Sequence, residues 1–154
     1  MIMVCNDEQE VRDIVINDPE MFERAKCDGF NPNRRLIDSG VWLKWVDNEN
    51  GETKALCVFR ADSIYIIDIH IHVPKQFRGK GTLSMGRDFL RWIVENNNGL
   101  FLKFNTCIPE IHRDVVLFAM KLGFKKEGIN RLSVIKNGQL MDMIMMGLTF
   151  EEAR

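Results

Sequence analysis

Residues Ile64 to Trp92 spell out a strand, a glycine turn and a helix in immediate succession, and that order leaves few architectures open. The first part, Ile64-Tyr65-Ile66-Ile67-Asp68-Ile69-His70-Ile71-His72-Val73, is apolar and β-branched and stops at Pro74. The turn is Gln76-Phe77-Arg78-Gly79-Lys80-Gly81, and an amphipathic helix begins there. At such a junction, unpaired backbone N–H groups and the positive end of the helix dipole converge, which suits a phosphate or pyrophosphate. The two glycines let the backbone approach a ligand without an intervening Cβ. Arg78 and Lys80 add positive charge. The turn is neither of the commonest glycine-rich types. No Gly-x-x-x-x-Gly-Lys-Ser/Thr string is present, and Gly79-x-Gly81 has Ser84 where a dinucleotide-binding fingerprint has its third glycine. On spacing alone, the alternative is a tight turn that only caps a helix.

Elsewhere the pattern predicts alternating helices and strands in one domain spanning 1–154. Asn6 to Glu10 supplies an N-cap and an acidic first turn, with Val11, Ile14 and Val15 on one face. Asp18-Pro19 opens a second short helix lined by Met21, Phe22 and Ala25, and Asp28-Gly29 ends it. Residues 1–40 therefore read as a helical N-terminal part, with a loop from Asn31 to Gly40. The Arg34-Arg35 pair there reads as solvated charge. Val41–Val46 and Thr53–Phe59 form a hairpin through Asn50-Gly51. Gly81 to Asn96 is a helix with Leu83, Phe89, Leu90 and Ile93 inward. Leu100–Phe104 reads as a short buried strand, and Ile111–Leu122 as a helix closed by Gly123. Phe124–Lys136 and Leu140–Leu148 pair through Asn137-Gly138. The fold class is thus α/β, or α+β: a mixed, mostly antiparallel sheet flanked by helices, with 41–154 as the sheet part.

Charge and cysteine usage narrow the function classes. The formal net charge is −1, which gives no bias toward nucleic acid. Residues 1–60 carry 8 Lys/Arg against 12 Asp/Glu, and residues 61–154 carry 13 against 10, so the half with the glycine turn is the basic one. Four widely spaced cysteines without Cys-x-x-Cys, and only three histidines, argue against a metal site. Cys57 and Cys107 lie in apolar strand contexts and read as core. Met1 to Val4 is too short for a signal sequence or membrane span. The expectation is a cytoplasmic protein with free thiols and no membrane partner.

Two strand faces carry side chains of interest. Alternation places Ile67, Ile69 and Ile71 on one face of the Ile64–Val73 strand, and Asp68, His70 and His72 on the other. That polar face is either satisfied by its neighbours or holds a general base with its orienting partner. Met141, Met143 and Met145 share one face of the last strand, which reads as plastic core.

Gln76-x-x-Gly79-x-Gly81 resembles the Gln/Arg-x-x-Gly-x-Gly/Ala signature of the GNAT acyltransferase superfamily. Ile108 to Arg113, then Phe118-Ala119-Met120-Lys121-Leu122-Gly123-Phe124-Lys125-Lys126-Glu127-Gly128, is similar to that family's second signature, an Asn-led helix ending in Lys-Leu-Gly-Phe. Asn130-Arg131, Asn137-Gly138 and Asp142 extend the likeness, which is specific from about Ile64 to Leu148 and most like small GNAT-like proteins of tailed bacteriophages. The resemblance implies a GNAT-like fold and direct transfer of an acetyl group from acetyl-CoA to an amine. It implies cofactor contacts from Gln76, Phe77, Arg78, Gly79, Lys80, Gly81 and Thr82, and Asp68 or His70 as base. His112 stands where the family usually has an Asn that contacts the pantetheine arm; a helix-capping role is the alternative. Ala119 stands where catalytic members often have a Tyr that protonates the leaving thiolate. Asp142 matches a common structural Asp. Two functions follow from the likeness: an acetyl-CoA-dependent N-acetyltransferase, or a non-catalytic phage virion or morphogenesis component. Partners would be acetyl-CoA and an amine, with a homo-oligomer or phage structural proteins also compatible.

Overall fold

Seven strands join into one sheet in the order β1-β2-β3-β4-β5-β7-β6. The computed structural model describes all residues from Met1 to Arg154. The strands are β1 (Ile2–Val4), β2 (Val41–Val46), β3 (Thr53–Ala61), β4 (Ile66–His72), β5 (Lys103–Pro109), β6 (Lys125–Lys136) and β7 (Gln139–Thr149). Every neighbouring pair is antiparallel except β4 and β5, which run parallel. The helices are α1 (Glu8–Val15), α2 (Pro19–Ala25), α3 (Thr82–Glu95), α4 (Arg113–Lys121) and α5 (Phe150–Ala153). No helix is long and apolar enough to cross a membrane. The fold is a mixed, mostly antiparallel sheet flanked by helices, as the sequence pattern predicts.

The side-chain period of two divides the sheet into two faces. One packs against α3, α4 and α5 through the main core, in which Phe89 and Phe104 are fully buried beside Ile67, Met146 and Leu148. Burying each large side chain contributes about 1.5–3 kcal/mol. Gly86 lets α3 meet α4 closely: a Cβ there would lie 2.9 Å from Leu122 and 3.0 Å from Phe118. The other face carries a smaller cluster, with Cys5, Val11, Val15, Leu36, Trp42 and Leu56 beneath α1.

The structure departs from the sequence reading in four places. The N-terminal part is not only helical, because Ile2–Val4 adds an edge strand to β2. The fourth strand starts at Ile66, since Asp62 turns back to the Ile66 carbonyl and leaves Ile64 70% exposed. β5 lies further along than the apolar run Leu100–Phe104 suggested. The Asn97 side chain brackets both backbone groups of Phe101 and holds that segment as a loop. The buried alternation then falls on Phe104, Thr106 and Ile108. In β7, Met141 is buried but Met145 is exposed, and it is Met146 that enters the main core. Asp142 accepts the Leu132 N–H at 2.8 Å and steadies a left-handed residue (φ 50°) in the irregular part of β6.

Candidate functional site

The glycine turn is built as the sequence implies. Gly79 (φ 135°) and Gly81 (φ 101°) both sit in a region that L side chains rarely adopt. A Cβ at either would meet no atom within 4 Å, so the turn is open on its outer side. The Gly79 N–H donates to the Thr82 hydroxyl at 2.8 Å, and the first bond of α3 is Met85 N–H to the Gly81 carbonyl at 2.9 Å. The N–H groups of Lys80, Gly81, Leu83 and Ser84 have no acceptor in the protein. A cavity of about 380 Å³ adjoins them, lined by Trp45, Lys54, Gln76, Phe77, Lys80 and Ser84 among others. Lys54 is paired with Asp47, whereas Lys80 is exposed and forms no ion pair. Free amides, a helix N-terminus and an uncommitted ammonium together suit a phosphorylated ligand. Gln76, Phe77, Lys80 and Gly81 all border this cavity, and Thr82 supports the turn.

Arg78 also borders it, but its guanidinium is already engaged. It forms a two-pronged pair with Glu20 of α2, both contacts at 2.7 Å, and its Nε donates to the Val73 carbonyl at 2.8 Å. Glu20 in turn holds Arg24 at 2.7 Å, and Arg24 holds Asp114, in the first turn of α4, at 2.6 Å. This chain of four charges ties the turn before α3 to the start of α4 by way of α2. Neither Glu20 nor Arg24 carried a functional signal in the sequence.

Between those two helix starts the sheet divides. β4 and β5 pair only through Ile66–Lys103, Ile67–Phe104 and Asp68–Asn105. Beyond that rung both strands continue, to His72 and Pro109, without a ladder between them. Their facing edges there carry backbone N–H and C=O groups with no cross-strand partner. Because the strands are parallel, the fork opens toward both carboxyl ends, where α3 and α4 begin. Ligands of α/β sheets commonly bind at such a point.

Asp68 sits at the base of the fork. Its carboxylate contacts Arg60 at 2.9 Å and His70 Nε2 at 3.2 Å. Burial alone would raise the carboxyl, but His70 and Arg60 outweigh it and hold its pKa below the ordinary carboxylate range. The His70 side chain remains 41% exposed beside it. His72, on the same face, stacks on Trp42 with ring centroids 5.9 Å apart. Burial first, and then the nearby His70, push its pKa down to about 3, so its ring is neutral near pH 7.

His112 occupies the N-cap position of α4, yet its side chain makes no capping bond. Its Nε2 is buried and unpartnered, and burial, with Lys136 and Arg24 nearby, lowers its pKa. It lies apart from the cavity beside the glycine turn. Ala119 is 6% exposed within the main core. Asn105, which the sequence reading passed over, has a buried Oδ1 without a partner. Its signal was visible: a lone amide within an apolar strand.

No protein-family model and no curated protein matches the sequence. Solved structures do. The spermidine N-acetyltransferase from Vibrio cholerae, in complex with CoA and spermine, superimposes with a TM-score of 0.81 at 13% identity, over 99% of this chain and 96% of that one. A GNAT superfamily phosphinothricin acetyltransferase from Sinorhizobium meliloti, in complex with acetyl-CoA, gives 0.70 at 16%, over 97% and 87%. An N-acetyltransferase from Staphylococcus aureus gives 0.71 at 18%, over 97% and 98%. At these identities the likeness is one of fold: the chain has the fold of GNAT acetyltransferases.

Proposed function

We propose that the protein is an acetyl-CoA-dependent N-acetyltransferase acting on an amine. The observation that carries this reading is the coincidence of two openings. The amide-rich glycine turn and the fork between β4 and β5 lie at the same end of the sheet, joined by residues 69–78. An anion held at the turn and an extended arm lodged in the fork would thus belong to one ligand.

The turn would take the pyrophosphate through the free amides of Lys80, Gly81, Leu83 and Ser84, with Lys80 as counter-charge. Thr82 would keep the turn in shape, and Gln76 and Phe77 would wall the cavity. Acetyl-CoA would supply an acyl carbon activated as a thioester. His70, exposed beside the fork, would accept the proton that the amine nitrogen loses as the C–N bond forms and the C–S bond breaks. Asp68 would orient the ring through its contact with Nε2; held below the ordinary range, it is itself the weaker base. Ala119 offers no proton, so the departing thiolate would take one from water at the open mouth.

Ala119 is also what favours the second reading, a non-catalytic phage component that keeps the fold for protein contacts. Calorimetric titration with acetyl-CoA, followed by thiol release with a panel of amines, separates the two. Binding with turnover supports the enzyme; binding without turnover supports the module. Gly81→Val should abolish binding, because its side chain fills the space open to the phosphate. Gly99→Val is the control, since Gly99 has a similar φ of 75° and lies beyond the other end of α3. Both variants should lose about 1–3 kcal/mol of stability through backbone strain. Equal acetyl-CoA affinity in Gly81→Val would sink the assignment of the turn.

A further inference from the structure

One row of residues crosses four strands on the face that carries Asp68. Arg60 stands opposite Asp68, Asp68 opposite Asn105, and Asn105 opposite Gly147. Residues opposite one another in a sheet share a face, with Cβ atoms about 5 Å apart in antiparallel pairs. Gly147 has no side chain, and a Cβ there would run into the carboxylate of Glu127. Glu127 therefore lies over the glycine, next to Asn105. Arg60 is engaged by Asp68 at 2.9 Å, and Lys103 by Glu127 at 2.7 Å. Only Asn105 in this row is left incomplete: its Oδ1 is buried and accepts nothing. A buried acceptor with no donor is costly, and it sits at the last rung before the fork opens.

We infer that Asn105 and Glu127 bind the acceptor, and that the acceptor is a primary alkyl amine arriving as its ammonium ion. This deepens the acyl-transfer reading and rests on it. The amide oxygen accepts one ammonium N–H, with the carboxylates of Asp68 and Glu127 on either side. The two ion pairs leave the row formally neutral, so recognition comes from aligned acceptors rather than from excess charge. A group that carries only donors satisfies all three oxygens, which a carboxylate cannot do. A hydroxyl does so with one weaker bond. His70, next to Asp68 and 41% exposed, is then placed to pass the first proton, which must leave before attack, to solvent, and so to be free again for the second, which leaves as the C–N bond forms.

The test uses the full chain and n-butylammonium chloride as probe. In the ¹⁵N-labelled protein, the side-chain amide signal of Asn105 is identified by its loss in Asn105→Ala. Saturable movement of that signal with butylammonium, and none with butyrate, is the expected result. Glu127→Gln should weaken butylammonium binding about fivefold or more while leaving acetyl-CoA affinity intact, and Asn105→Leu should do the same by about tenfold. If the amide instead serves the fold by donating to a neighbouring carboxylate, Asn105→Leu lowers the Tm and leaves amine affinity unchanged, which overturns the proposal. An Asn105 signal unmoved by butylammonium, with equal amine affinity in Glu127→Gln, also overturns it. These readouts do not depend on turnover. Failure of the wild type to bind acetyl-CoA, with the Asn105 signal still responding, would remove the acyl-transfer reading and leave the amine site standing.

Discussion

His72 shows how far apart two histidines on one strand face can be. Strand alternation made Asp68, His70 and His72 legible as a set, but not their different surroundings, which come from β2 and β3. Trp42 covers His72, whereas nothing comparable covers His70. The sign of the consequence follows from His72 alone. Its pKa is about 3 in the folded protein and about 6.5 when unfolded. Between those values the unfolded chain takes up a proton that the native one refuses, so stability falls as pH falls through this window. His72→Phe keeps an aromatic ring against Trp42 and removes the titration. From pH 7.5 to 5.5, the wild type should lose about 1 kcal/mol more than the variant, read from urea unfolding. Equal losses would place the pH sensitivity elsewhere.

At the scale of elements, α2 is the informative case. Seven residues cannot sustain a helix alone. Asp18 caps the first turn at 3.0 and 2.9 Å, and Pro19 fixes the first helical position, both readable in the sequence. Its last turn is held by Lys136, whose buried Nζ donates to the carbonyls of Glu23, Arg24 and Lys26. That bond set comes from more than a hundred residues away, so no local pattern announces it. β1 was missed for the same reason: three residues with no alternation become a strand only because β2 offers an edge. The pair between Glu20 of α2 and Arg78 yields a prediction. Glu20→Gln keeps the shape and removes a negative charge from beside the turn, freeing the Arg78 guanidinium. Acetyl-CoA should then bind about fivefold more tightly at low salt, and the gain should shrink at high salt as charges are screened. Calorimetry at two ionic strengths reads this out. Weaker binding in the variant would mean that the pair serves the geometry of the turn rather than masking a charge.

Across the whole molecule, the two faces of the sheet are unequal. The main core holds 18 buried residues and the cluster beneath α1 only 6, so the α1–α2 layer has less apolar contact to hold it. Native-state hydrogen exchange should find α1 and α2 opening at lower free energy than β5, β7 and α3. Phe89→Ala should lower the protection of every element by about 3–5 kcal/mol. Val15→Ala should act mainly on the α1–α2 layer. A uniform loss of protection in Val15→Ala would show that the layers unfold as one. The sheet-and-helix class was legible because strand and helix periods differ throughout the chain. The rung at which the fork opens was not, because nothing in the residues of β4 or β5 marks where their ladder ends.

That fork also has a mechanical meaning. β1 to β4 form one run of antiparallel neighbours and β5 to β7 another, and three rungs of parallel pairing join them. Each half is stiff within itself, and compliance is concentrated at the seam. An extended chain lodged in the gap would meet two open edges at once and lengthen the seam from either side. Occupancy would then stiffen the molecule in the one direction in which it can bend, and two half-sheets free to pivot would move as a single plate.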